Sequence, residues 1–196
     1  MTADDSLVIN HDPDYNDLAI EKTNFDALRK YPLSNGEQLP SLREYLLAGK
    51  AGNTATRLVL EIKPSRISKE RGRLIADKVM QLVNQLRCTD FIVYISFDYD
   101  ILKRIQEIEP TAITQYLNGD KAPAVLKADG INGADYHYSV FKKNVSWIKE
   151  AKKNNIQLNA WTVDDSTGMR WLLDNHFNFI TTNQPEMLFE MLKKRD

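Results

Sequence analysis

Cysteine is almost absent from this sequence of 196 residues, in which Cys88 stands alone. A single cysteine excludes an internal disulfide and any metal site that needs a pair of thiolates. Long apolar runs are also absent, because no stretch approaches the ~20 residues that a membrane-spanning helix needs. The N-terminus has no apolar core of the kind that marks a signal peptide. None of these absences assigns the protein to a cellular compartment.

The sequence also has no excess of charge of either sign. Lys and Arg total 26 against 27 Asp and Glu, so the formal net charge is −1. No basic surplus is available for a polyanionic partner, and no long run of like charges suggests a binding tail. We therefore expect no binding to nucleic acid.

Short apolar runs alternate regularly with amphipathic helical stretches. Within residues 68–87, for example, Ile75, Val79 and Leu82 recur at helical spacing. Six predicted strands cover residues 58–63, 91–97, 112–117, 131–138, 156–163 and 177–182, and a helical stretch follows each of them. Parallel strands need crossover connections of this kind, so the order predicts a parallel sheet in a single domain over residues 1–196.

This alternation leaves the architecture open. Six parallel units fit an open doubly wound sheet, or most of a (β/α)8 barrel, which typically needs ~250 residues. The N-terminal part of the chain follows another pattern. Residues 6–14 read as a short strand that ends in a turn, and Ser41 with Glu44 forms a predicted helix capping box.

The first of the six strands ends in two opposite charges, within "LVLEIKP" at residues 58–64. Because side chains alternate along a strand, Glu61 and Lys63 share one face, opposite three aliphatic residues. Functional groups of parallel sheets gather at the carboxyl ends of the strands, where this pair lies. An ordinary ion pair at a strand end is the alternative interpretation.

Six segments of the chain resemble, in the correct order, motifs of the glycerophosphodiester phosphodiesterases. "LVLEIKP" resembles the E-x-K strand of that family, and "TADDSLVINHD" resembles its T-x-D-x-x-x-V-x-x-H-D segment. "LPSLREYL" is similar to I-P-T-L-x-E-x-L, and "ISFDYDIL" to S-F-x-x-x-x-L. "NAWTVDD" is similar to W-T-V-N-D, and "FITTNQPE" to the closing I-x-T-D-x-P.

The resemblance implies a TIM-barrel fold and metal-assisted hydrolysis of glycerophosphodiesters to glycerol phosphate and an alcohol. It implies that Glu61 is a ligand of a divalent metal, Ca²⁺ or Mg²⁺, both of which prefer oxygen ligands. It further implies that Lys63 holds the phosphate and that His11 is the general acid/base. Trp161 matches an aromatic that contacts the substrate, although a core tryptophan on a buried strand is an equal interpretation. Asp98 reads as a helix N-cap, and His137 and His176 match no catalytic position.

The chain also departs from the family pattern. A first strand ending in H-R-G and a second strand carrying E-x-D have no counterpart, so we expect an N-terminally truncated barrel of about six βα units plus a short N-terminal hairpin. Such a barrel would have two unpaired edges, and we expect self-association through them. Asn183 replaces a carboxylate, and its amide could cap the following helix.

Other interpretations remain open at this stage. The chain could be a non-catalytic α/β module that binds a phosphate-bearing ligand or a partner. It could also be an unrelated parallel α/β protein in which Glu61 and Lys63 form an ordinary ion pair. The head group of the substrate, the identity of the metal and the oligomeric state do not follow from the sequence.

Overall fold

A computed structural model describes residues 1–195, so Asp196, the last residue of the predicted domain, lies outside the described part of the chain. The N-terminal part contains a small antiparallel hairpin of β1 (Asp14–Tyr15) and β2 (Leu18–Ala19). Asn16 and Asp17 form its two-residue turn at φ 51° and 61°. Both residue types tolerate the left-handed conformation that such a tight turn requires.

The strand predicted at residues 6–14 is wrong for most of its length. Val8 makes a single antiparallel bridge to Ser41, supported by Ile9 N–H donating to the Pro40 carbonyl at 3.0 Å and Leu42 N–H to the Leu7 carbonyl at 2.8 Å. Ladder pairing goes no further because the partner segment turns into a helix at Leu42.

A 3₁₀ turn and two helices complete the N-terminal part of the chain. A 3₁₀ turn covers Ile20–Lys22, α1 covers Phe25–Leu28, and α2 covers Leu42–Lys50. The predicted capping box at the start of α2 is present, because the Glu44 N–H donates to Ser41 Oγ and the Ser41 N–H donates to the Glu44 carboxylate.

The main sheet has six parallel strands: β3 (Leu58–Glu61), β4 (Ile92–Ser96), β5 (Ile113–Tyr116), β6 (Gly133–His137), β7 (Gln157–Trp161) and β8 (Phe179–Ile180). Helices follow the strands: α3 (Lys69–Gln85), α4 (Tyr99–Ile108), α5 (Pro123–Ala128), α6 (Tyr138–Lys143), α7 (Ser146–Lys153), α8 (Ser166–Asp174) and α9 (Pro185–Lys193). A 3₁₀ turn at Thr89–Phe91 leads into β4. The six predicted βα units are confirmed.

Strand order decides between the two architectures. The strands lie side by side in chain order from β3 to β8, so the order never reverses as it does in a doubly wound sheet. Six parallel strands in this order form a curled part of an α/β barrel of the TIM type, as expected.

One face of the sheet packs against the helices. Alternate strand residues such as Ile92, Tyr94 and Leu158 belong to the same buried cluster as helical residues, among them Ile75 and Ile101. Cys88 is fully buried in that cluster, as a packing residue. The opposite face, here called the inner face, presents the remaining strand side chains. Within residues 1–195, no helix is both long enough and apolar enough to cross a membrane.

Candidate active site

A cleft of about 370 Å³ runs along β3, between this strand and the N-terminal segment. Residues 7–13 form one wall, and residues 58–64 form another. His11, Glu61 and Lys63 all line this cleft, so three of the four predicted site residues lie together. Their catalytic roles stay predictions.

Glu61 and Lys63 share a face, as the strand alternation predicts. Ile62 is buried in the helix-facing core, where Leu58 and Leu60 also pack, while Glu61 and Lys63 point the other way. Lys63 Nζ lies 2.9 Å from Glu61 Oε1, and the two side chains are only 39% and 25% exposed. This contact lacks hydrogen-bond geometry, so Glu61 Oε1, which is buried, has no hydrogen-bond donor among the described residues.

His11 lies in the loop that follows the bridge at Val8. Its side chain is 87% exposed, and its Nδ1 lies 2.9 Å from the Asp12 carboxylate.

A half-buried carboxylate, that of Glu21, ties the N-terminal part of the chain to the loop after β3. Glu21 accepts hydrogen bonds from Ser65 Oγ and the Arg66 N–H, both at 2.7 Å, and from Arg71 Nε at 3.1 Å. Arg71 also donates to the Thr2 carbonyl at 2.7 Å. Sequence reasoning missed this clamp, since its members lie about fifty residues apart along the chain.

Trp161, the fourth predicted site residue, lies on β7, four strands along the sheet from β3. Its indole N–H donates to the Asp135 carbonyl at 2.9 Å. Its ring makes edge contacts with Phe97 and His137, at centroid distances of 5.8 and 5.3 Å. These contacts place the ring on the inner face, and its contact with substrate stays a prediction.

A layer of buried polar side chains on the inner face was not predicted. Asn159 donates to Gln115 Oε1 at 3.1 Å, and Gln115 donates to Gln157 Oε1 at 3.0 Å. A Cβ atom added to Gly133 would lie 2.5 Å from Gln115 Cγ, so glycine leaves room for the amide chain. Asp135 lies in the same layer, beside Asn159 in the strand register. The sequence feature that could have predicted this layer is the single polar residues at alternate positions of otherwise apolar strands.

The other polar residues singled out in the sequence have structural contacts. Asp98 caps α4 by accepting from the Asp100 N–H at 3.0 Å, as predicted, and it also pairs with Lys69 at 2.9 Å. His137 caps α6 through Ser139. His176 itself adopts the left-handed backbone conformation in a turn, at φ 55°.

Comparison with known proteins decides the family. The model of the glycerophosphoryl diester phosphodiesterase family matches residues 1–187. The chain belongs to this family.

Solved structures of the family share the fold. A glycerophosphodiester phosphodiesterase from Parabacteroides distasonis is 38% identical, with a TM-score of 0.95 over 99% of this chain and 81% of that one. An Oleispira antarctica phosphodiesterase in complex with the product sn-glycerol-3-phosphate is 20% identical, with a TM-score of 0.84 over 98% of this chain and 82% of that one.

A curated relative gives a more distant match. A glycerophosphodiester phosphodiesterase from Arabidopsis thaliana is 21% identical over 155 residues, which are 76% of this chain and 45% of that protein. The chain therefore spans about half the length of this relative.

The family motifs explain a pair of residues at the carboxyl end of the sheet. Where the family motifs W-T-V-N-D and I-x-T-D carry an amide and a carboxylate, this chain carries Asp164 and Asn183, so the two groups are exchanged. Asp164 accepts from the Asn183 N–H at 2.7 Å and from its side-chain amide at 3.0 Å. The expectation that Asn183 caps α9 is therefore wrong, because its amide bonds the loop after β7 instead.

Proposed function

We propose that this protein hydrolyses glycerophosphodiesters to glycerol phosphate and an alcohol. The observation that carries the proposal is the common cleft of His11, Glu61 and Lys63 at the carboxyl end of β3, in a member of the glycerophosphoryl diester phosphodiesterase family. The Oleispira phosphodiesterase, which has the same fold, was solved with sn-glycerol-3-phosphate, a product of this reaction class.

In this proposal each cleft residue has one task. Lys63 holds the phosphate as a point charge, and its ion pair with Glu61 keeps the ammonium in the cleft. His11 moves a proton to the leaving alcohol, for which its exposed ring is accessible. Trp161 supplies an aromatic surface for the substrate on the inner face.

We also propose that Glu61 binds a divalent cation, Ca²⁺ or Mg²⁺. Its carboxylate lies in the cleft with Lys63 Nζ 2.9 Å from Oε1, so a cation would bind this carboxylate beside the ammonium or in its place. Residues 1–195 contain no group of three or more His, Cys, Asp or Glu side chains placed to hold a metal. Glu61 would therefore share the cation with water and substrate oxygens, an arrangement that Mg²⁺ commonly adopts.

Calorimetric titration with the cation and an assay of substrate hydrolysis test the proposal together. With glycerophosphocholine as substrate and millimolar Mg²⁺ or Ca²⁺, we expect slow turnover that a chelator abolishes, because one carboxylate holds a cation weakly. His11→Ala should lower kcat with little change in KM, and Glu61→Gln should weaken cation binding measured by calorimetry.

The matched control is His176→Ala, which removes an imidazole from a turn outside the cleft. It should leave kcat and cation binding unchanged. The proposal is refuted if the chain neither turns over the substrate at millimolar cation nor binds sn-glycerol-3-phosphate. Turnover close to that of a complete family enzyme would contradict the expected weak cation site.

A further inference from the structure

Asp135 is a buried carboxyl group with an unused oxygen. The residue is only 2% exposed, and its Oδ1 has no hydrogen-bond partner among residues 1–195. Burial, together with the negative charge of Glu61, raises the pKa of Asp135 to about 7. Leaving a buried polar group unpaired costs stability, so such a group requires an explanation.

The neighbours of Asp135 do not use this oxygen. The amides of Gln115 and Asn159 bond to each other, and Gln115 bonds on to Gln157. Trp161 donates to the backbone carbonyl of Asp135, so its indole lies beside the residue without satisfying the carboxyl group. Asp135 therefore lies on the inner face with its Oδ1 unused, on the strand next to the one that carries Trp161 and within the electrostatic influence of Glu61.

The chemistry of this position favours a hydroxyl group as its ligand. A carboxyl group can accept a hydrogen bond from a hydroxyl when ionised and donate one when protonated, so it can pair with a hydroxyl in either state. A second metal site is less well supported, since the described residues supply no cluster of three ligating side chains. Hydroxyl groups are what the glycerol part of a glycerophosphodiester presents beyond its phosphate.

We propose that Asp135 binds a hydroxyl group of the glycerol moiety and so contributes to selection of the substrate. This inference rests on the proposed function. A site built to bond a substrate hydroxyl discriminates strongly against analogues that lack it, because its own buried polar group is then left unpaired.

Two ligands that differ only in hydroxyl groups test this role. Calorimetric titration should show that sn-glycerol-3-phosphate binds the unmodified chain about tenfold to a hundredfold more tightly than propyl phosphate, which has no hydroxyl on carbon. Asp135→Ala should remove most of that preference while leaving the affinity for propyl phosphate unchanged. Asp174→Ala, which removes a carboxylate from α8 that pairs with Arg195, is the matched control and should keep the preference.

Thermal stability separates a binding role from a structural one. Asp135→Asn keeps the shape of the side chain and removes a carboxyl group that the fold leaves unpaired, so its melting temperature should equal or exceed that of the unmodified chain. A clear drop in its melting temperature, or an unchanged ligand preference in Asp135→Ala, would overturn the inference and leave the proposed function intact. Failure of the unmodified chain to bind sn-glycerol-3-phosphate would also overturn the inference, and if the chain in addition fails to turn over glycerophosphocholine, the proposed function is refuted with it.

Discussion

Asp164 is an acceptor-only carboxylate that faces three donors. Two belong to Asn183, and the third is the Thr182 hydroxyl at 3.0 Å. These bonds, that of the Asn183 side-chain amide first, hold the pKa of Asp164 below its usual range. The pair joins the loops after β7 and β8, next to the strand that carries Trp161. The family motifs place the same two groups in exchanged positions. This predicts that the effect of a substitution at either position depends on the residue at the other.

We therefore expect strong coupling between substitutions at these two positions. Asn183→Asp alone should lower the melting temperature, because it sets two carboxylates against each other. Asp164→Asn alone should lower it as well, since the charged acceptor is lost. The double variant restores an amide and a carboxylate and should melt close to the unmodified chain. Thermal melts of the four proteins measure this, and simple addition of the two losses in the double variant would contradict it.

For single residues, the sequence predicts those positions that strand alternation or a local motif determines. Glu61 and Lys63 could be placed on one face because period two is a local property of a strand. Asp135 could not be recognised in the same way. Its significance depends on Gln115 and Asn159, which bond to each other beside it and leave its oxygen unused, and this is visible only once three strands are side by side. The link between Asp164 and Asn183 likewise joins residues 19 positions apart.

At the level of elements, the six βα units were predictable because each unit contains its own strand and helix periodicity in a continuous stretch of sequence. The N-terminal segment was not. Its extended residues pair with Ser41, a helix cap from another part of the chain, and its position depends on the clamp around Glu21.

Glu21 should make the attachment of this segment sensitive to pH. Burial acts to raise the pKa of Glu21, but the hydrogen bonds from Ser65, Arg66 and Arg71 together outweigh it and lower the pKa below its ordinary value. A lowered pKa in the folded state means that the carboxylate stabilises the fold above pH ~4.5, and that this contribution is lost as pH falls through the folded-state pKa.

Glu21→Gln should therefore reduce the free energy of unfolding by roughly 2 kcal/mol at neutral pH, since it weakens hydrogen bonds to a charged acceptor. The difference between variant and unmodified chain should shrink towards zero at strongly acidic pH. Urea denaturation across the pH range measures both effects. Glu190→Gln, which alters an exposed pair with Lys193 on α9, should change little at any pH. A difference that persists in acid would show that shape rather than charge matters at Glu21.

For the whole molecule, the open sheet determines how the chain behaves in solution. In the described structure, β3 and β8 each have a neighbouring strand on one side only. Val59 on β3 is 50% exposed, and α9, which follows β8, exposes apolar side chains: Met187, Phe189 and Leu192. An unpaired strand edge is a template for another chain, and apolar patches of this kind tend to find a partner.

We expect the 196-residue chain to self-associate at low micromolar concentration through the β3 edge. Val59→Lys should shift the population towards monomer, because a charged side chain on an edge strand opposes pairing with a second copy. Val125→Lys, at a comparably exposed position on α5, should leave association unchanged. Sedimentation velocity distinguishes these cases. A monodisperse unmodified monomer would show that residues 7–13, which lie along β3, cover this edge well enough to prevent pairing.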